Sequence, residues 1–184
     1  METLNWVVTG CLSACAVPSL VLASGSVLPD AQMRILVRNS SLRFLQPRVF
    51  SELPNCSWQL DTFDGECQPP GAEASHHLEL GNTDLTVVSP CSLDFLIRIS
   101  NDDCSSPSLL SMQLSDSPIL ISPSVPPGGI DSVGYNTAIR RLRDRKNVEV
   151  MEPEPIQSAY FGNQSGHGLS DPSKLVKAMV EKLV

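Results

Sequence analysis

"TDLTVVSPCSLDFLIRIS", Thr83 to Ser100, is the stretch from which the fold is read. Leu85–Ser89 is an unbroken apolar and β-branched run, the composition of a strand covered on both faces rather than on one. Ser89-Pro90 is expected to halt it, because proline brings no N–H to a sheet ladder. A short polar loop follows, and from Leu93 an amphipathic helical pattern begins. Strand, turn and helix in that order form one β-to-α junction of a parallel sheet, and ligands of such sheets bind beyond the carboxyl ends of the strands.

Working outward, similar runs recur at Leu4–Val8 (LNWVV), Met33–Val37 (MRILV), Pro118–Ser122 (PILIS) and Asn147–Met151 (NVEVM). Most are followed by a turn and a helix-length segment. The alternation predicts a three-layer α/β fold, a Rossmann- or flavodoxin-like parallel sheet with helices on both faces, in a single domain spanning 1–184. Helices are expected over Leu12–Ala23, Ser41–Leu53, Leu93–Leu114 with a break at Pro107, 132–145, and 171–183, the last with Asp171 as N-cap and Pro172 at its first position. Segments 54–74, 122–132 and 153–168 read as irregular, the first around one possible short strand.

Composition narrows the function classes. A net charge of -7 and a pI near 4.8 leave no basic face for nucleic acid. The run Arg140, Arg141, Arg143, Arg145 and Lys146 reads as a solvated helix face. The apolar amino terminus has no basic leading region, carries Glu2, and is interrupted at Thr9-Gly10 and Pro18, so it reads as strand, turn and helix rather than a secretory signal. No apolar run approaches the ~20 residues of a membrane span, and a soluble, cytoplasmic protein is expected. The six cysteines, Cys11, Cys15, Cys56, Cys67, Cys91 and Cys104, show no Cys-x-x-Cys spacing, so free thiols and no metal are expected.

Two junctions carry hydroxyls where a helix would begin: Thr9, Gly10 and Ser13 after the first strand, and Asn39, Ser40 and Ser41 after the second. Either group alone is explained by helix capping, but together they would form a phosphate cradle from free backbone N–H groups.

A family resemblance rests on the segments His77-Leu78-Glu79-Leu80, Thr83-Asp84-Leu85, Pro90-Cys91-Ser92-Leu93-Asp94-Phe95 and Leu96-Ile97-Arg98-Ile99-Ser100. In order and spacing they resemble the homo-oligomeric flavin-containing cysteine decarboxylases, which read His-Ile-x-Leu, Ala-Asp-Leu, Pro-Ala-Ser-Ala-Asn-Thr and Ile-x-Lys-Ile-Ala there. Val8-Thr9-Gly10, the Ser-rich segment 39–53 and "PILISPSV" (118–125) extend the likeness. The chain looks most like the peptidyl-cysteine decarboxylases of lantibiotic, linaridin and thioamide peptide biosynthesis. The resemblance implies FMN as cofactor and a homo-oligomer, a trimer or trimer-based dodecamer, in which a neighbouring subunit completes each site. It implies oxidative decarboxylation of the C-terminal cysteine of a ribosomally made precursor peptide, giving an enethiol for an aminovinyl-cysteine ring.

Carried over by position, the FMN contacts are Thr9, Gly10, Ser13, Asn39, Ser40, Ser41, Phe44, Pro90, Cys91 and Ser92. Val125, Pro126 and Asp94 would flank the substrate. The catalytic residues that the resemblance implies are Asp94 and a base, either His77, which fits the His-x-x-Leu pattern, or His76, which has the family's spacing to Asp84. Asp94 stands where the family has asparagine and brings a carboxylate toward the substrate's own unless it turns away. The family's Pro-Ala-Met-Asn loop is reduced to Pro123-Ser124-Val125-Pro126. Segment 158–168 lacks the cysteine with which pantetheine-forming members reduce their intermediate, which favours the peptide-modifying branch. The alternatives are a phosphopantothenoylcysteine decarboxylase-like enzyme and a non-catalytic flavin-binding regulatory subunit. His167 in Ser-Gly-His-Gly reads as part of a binding loop, since no Gly-x-Ser-x-Gly elbow supports an esterase.

Overall fold

A computed structural model describes residues 2–63, 82–157 and 165–183. Six strands form one parallel sheet: β1 (Thr3–Val8), β2 (Gln32–Val37), β3 (Cys56–Leu60), β4 (Leu85–Ser92), β5 (Ile119–Ser124) and β6 (Val148–Val150). Their spatial order is β3-β2-β1-β4-β5-β6, so strand order reverses between β1 and β4. β3 is the short strand suspected between residues 54 and 74.

Side chains alternate across the sheet and build a core on each face. Trp6, Val8, Ile35 and Val37 pack on one side with α1 (Val17–Val27) and α5 (Pro172–Leu183). Val7, Leu36, Val88 and Ile121 pack on the other with α2 (Leu93–Ser100), α3 (Pro107–Leu114) and α4 (Val133–Arg143). Both faces are therefore covered, which is why the strand sequences are continuous apolar runs. Among the described residues no helix is long and apolar enough to cross a membrane.

β4 does not halt at Pro90. It continues to Ser92 through a cis Ser89-Pro90 peptide, with a register irregularity against β5 between Val88 and Cys91. The neighbouring strand supplies what the ladder lacks there: the Thr9 hydroxyl donates to the Pro90 carbonyl (2.7 Å) and accepts from the Ser92 N–H (2.7 Å). Trp6 adds a second tie, its Nε1 donating to the Ser89 carbonyl at 2.7 Å.

Other expectations shift for local reasons. Segment 41–53 forms two 3-10 helices, Asn39–Arg43 and Pro47–Glu52, because Pro47 cannot continue a helix begun before it. Leu12–Ala16 is likewise 3-10 before α1 begins. The break near Pro107 is wider than one residue: α2 ends at Ser100, and α3 opens on Ser106, whose hydroxyl accepts from the Leu109 N–H. Segment 153–168 contains an antiparallel hairpin, β7 (Glu154–Gln157) and β8 (Ser165–Gly168), bridged to the main body between Val125 and His167.

The basic run on α4 and its exit is not simply solvated. Arg141 reaches Asn101, Arg143 pairs with Glu152, and Arg145 donates to the Met112 carbonyl (2.6 Å) and to Gln113 (3.0 Å).

One buried carboxylate ties three elements together at the carboxyl edge of β2 and β3. Asp61 accepts from Arg38 (3.0 Å), from the hydroxyls of Ser106 (2.9 Å) and Ser108 (2.7 Å), and from the Ser108 N–H (2.8 Å). The Arg38 guanidinium also lies 5.0 Å from the centre of the Phe95 ring, a cation–π arrangement. Asp61 thus caps α3 and neutralises Arg38 at the same time.

Candidate active site

A cleft of about 450 Å³ opens beyond the carboxyl ends of β1, β4 and β5, at the reversal of strand order. This is where an open α/β sheet binds its ligands. Its floor is the first junction (Gly10 to Ser13, with Cys15), one wall is Ser92 and Leu93, and another is Ser124 to Pro127. The β7–β8 hairpin closes the remaining side with Ile156, Gln157, Gly166 and His167. Ser13 and Ser124 hydroxyls meet across the floor at 3.0 Å.

The second junction abuts the first. A Cβ on Gly10 would lie 2.5 Å from both Cβ and Oγ of Ser40, so only glycine permits this approach. Exposed Asn39 and Ser40 therefore sit directly beside the floor of the cleft. The two junctions are thus in contact, bringing two helix starts and several hydroxyls together beside a mainly apolar hollow. Backbone N–H groups and hydroxyls suit a phosphate, and the hollow suits a flat aromatic ring.

Of the residues singled out from sequence, Gly10, Ser13, Ser92, Val125 and Pro126 line the cleft. Several others are engaged elsewhere. Thr9 is buried, and its hydroxyl is used in both directions by β4. Ser41 is fully buried, and its hydroxyl donates to the Arg38 carbonyl at 2.7 Å, closing its own 3-10 turn. Phe44 packs against the core beside β1 and β2. Pro90 is buried within β4, and Cys91 points into the core facing α2 and α4. Asp94 is exposed on the first turn of α2 and pairs with Arg98 at 3.0 Å. His76 and His77 lie outside the described residues.

Sequence reasoning did not single out Cys11, Cys15, Ile156 or Gln157 of the cleft, while Ser124 and His167 were noted only as parts of loops. Burial pushes the Cys91 thiol far above its ordinary pKa, and neighbouring Cys11 and Asp94 add to this. Burial also raises Cys11, against the opposing effect of its hydrogen bond with Ser124. Neither is a ready thiolate at neutral pH. Cys15 and Cys104 are exposed. Iodoacetamide on the native protein, read by peptide mapping, is expected to label Cys15 and Cys104 at least about tenfold faster than Cys91.

Comparisons with known proteins bear on the family and the fold. The family model described as Flavoprotein matches residues 2–184. A Streptomyces protein named cypemycin cysteine dehydrogenase (decarboxylating) is 29% identical over 142 residues, covering 77% of this chain and 72% of that protein. The crystal structure of the cypemycin decarboxylase CypD superposes with a TM-score of 0.69 at 27% identity, over 83% of each chain. The FMN-dependent cysteine decarboxylase SpaF gives a TM-score of 0.79 at 17% identity, covering 100% of this chain and 98% of its own, and at that identity shows the fold alone.

Proposed function

Because the chain belongs to the flavoprotein family over residues 2–184, we propose that it binds FMN in this cleft and oxidatively decarboxylates the C-terminal cysteine of a ribosomally made precursor peptide. The observation that carries the cofactor is the contact between Gly10 and Ser40, which leaves a seat lined by main chain and hydroxyls where strand order reverses. The peptide substrate is supported by the likeness to the cypemycin enzyme of Streptomyces.

Gly10, Ser13, Asn39 and Ser40 would hold the phosphate with N–H and hydroxyl donors, using the partial positive charge of helix starts in place of lysine. Ser92, Leu93 and the Val125–Pro126 wall would flank the ring and the substrate. Thr9 and Ser41 act behind this surface: Thr9 fixes where Ser92 stands, and Ser41 shapes the turn that presents Ser40.

When bound, FMN supplies a two-electron acceptor. The protein must remove the proton of the substrate thiol, orient the adjacent carbon toward the acceptor and exclude water. Oxidation at that carbon leaves a thioaldehyde on the peptide. Its carboxylate is then β to a C=S group, so carbon dioxide departs with its electron pair delocalised onto sulfur, and protonation yields the enethiol. A histidine suits the base, with an unperturbed pKa of about 6.5 near working pH. We assign that role to His77, with His76 as the alternative.

The site is proposed to be completed by a second subunit in a trimer or trimer-based shell. Leu12 (54% exposed) and Ile156 (44% exposed) stand at the cleft with apolar surface that a neighbouring chain would cover.

The test is a peptide ending in cysteine, incubated with the FMN-loaded protein in air and followed by mass spectrometry. A loss of about 46 Da, the mass of carbon dioxide and two hydrogens, is expected in this oxidation. His77→Asn should lower turnover by about 100-fold or more while retaining the yellow colour. Full turnover in both His77→Asn and His76→Asn would overturn the base assignment.

A further inference from the structure

Arg38, the residue that follows β2, reaches every junction to which the flavin is assigned. Its N–H donates to the carbonyl of Val8 (3.0 Å), the last residue of β1 before Thr9-Gly10. Its carbonyl accepts from the Ser41 N–H (2.8 Å) and the Ser41 hydroxyl (2.7 Å), closing the turn that carries Ser40. Its guanidinium lies over Phe95, 5.0 Å from the ring centre, and the Phe95 N–H donates to the Ser92 hydroxyl at 3.4 Å in the first turn of α2. Backbone and side chain of one residue thus join the three β-to-α junctions.

Arg38 does not line the cleft, so it acts through the residues it holds. Its main-chain bonds are open to any residue with an N–H; the guanidinium is what this chain adds. The Asp61 carboxylate, wholly buried and itself fixed by Ser106 and Ser108, holds one edge of the guanidinium at 3.0 Å. Phe95, 1% exposed, lies under its face. A pair of this kind is a poor way to gain stability, because desolvation of the two charges offsets most of their attraction and apolar residues of similar volume would serve as well. What it supplies is geometry. A planar group fixed at one edge and laid over a ring has one orientation, where a flexible chain has many rotamers.

Gly10 and Ser40, assigned to the phosphate, and Ser92, assigned to the ring, stand on three separate junctions, and one flavin nucleotide must meet them all at once. We propose that Arg38 is a positioning residue for the flavin: through Ser41 and Phe95 it sets the Ser40 turn and the Ser92 helix start at the separation that one FMN spans. The proposal rests on the flavin reading of the cleft.

The test titrates FMN into the flavin-free chain and follows fluorescence, the visible band of the bound flavin and the melting temperature. Arg38→Lys keeps the charge beside Asp61 but gives up the planar group over Phe95. It should melt within about 3 °C of wild type and bind FMN about tenfold more weakly, as for the loss of one hydrogen bond to a charged group. The visible band should shift, since it responds to what stands beside the ring. In a Phe95→Leu background the same replacement should cost less than about twofold, because the ring it acts through is gone. Should Arg38→Lys fail to fold, Arg38→Met with Asp61→Asn leaves neither charge stranded, and the same loss of about tenfold is expected of it.

FMN affinity within about twofold of wild type in these variants overturns the proposal. So does an equal loss with and without the Phe95 ring. A weakened affinity with an unshifted band and a melting temperature lowered in step also overturns it, making Arg38 a support of the fold alone. If the wild-type chain binds no FMN, the flavin reading itself fails, a result distinct from an insensitive Arg38.

Discussion

Gly10→Ala should yield a colourless protein. The added methyl would stand 2.5 Å from Cβ and Oγ of Ser40 and 2.9 Å from its carbonyl carbon, so the second junction must move as backbone, not as a rotating side chain. That displaces the seat to which we assign the phosphate. FMN affinity measured by fluorescence titration should fall about 100-fold or more, since a helix-start anion site depends on the placement of its N–H groups. The fold should survive, because neither residue lies in the sheet. Gly10→Ala combined with Ser40→Gly removes the two 2.5 Å side-chain contacts, leaves the 2.9 Å approach to the main-chain carbon, and should recover part of the affinity, a coupling expected only of residues in contact. A single variant that binds FMN within about threefold of wild type would show that the two junctions do not form the cradle.

Asp61→Ala should be strongly destabilising. It strands the part-buried Arg38 and removes the acceptor of two serine hydroxyls and one backbone N–H at the start of α3. Breaking such a buried pair from one side costs about 3–5 kcal/mol. For a chain of this size each kcal/mol is worth about 2–4 °C, so a fall in melting temperature of roughly 10 °C or more is expected. Asp61→Asn keeps the shape and part of the bonding and should lose less. A fall under about 3 °C in Asp61→Ala would mean that the network contributes little to stability.

How much of this was legible in the sequence differs residue by residue. The strands were, because a parallel sheet covered on both faces demands continuous apolar runs such as Leu85–Ser89 and Ile119–Ile121. The hydroxyl-rich turns pointed to the carboxyl edge of β1 and β4, and the structure has a cleft there. The partners of the Thr9 hydroxyl, Pro90 and Ser92, lie more than 80 residues away, and only the structure shows it completing the irregular ladder. For Cys91 the sequence did not show that β4 runs past Pro90, an extension that turns the thiol into the core. The Asp94–Arg98 pair was legible, since Arg98 stands four residues on, the spacing of a helical ion pair. The hairpin was invisible, because Glu154–Gln157 and Ser165–Gly168 are four-residue strands with proline and glycines and no apolar alternation.

The central claim is that the first, second and β4–α2 junctions together hold one flavin nucleotide. A crystal structure of the protein grown with excess FMN tests it most directly. We predict the phosphate against Gly10, Ser13 and Ser40, with the ring beside Ser92 and Val125. Flavin bound elsewhere, or side chains filling the space between Gly10 and Ser92 while FMN is at saturating concentration, would contradict it.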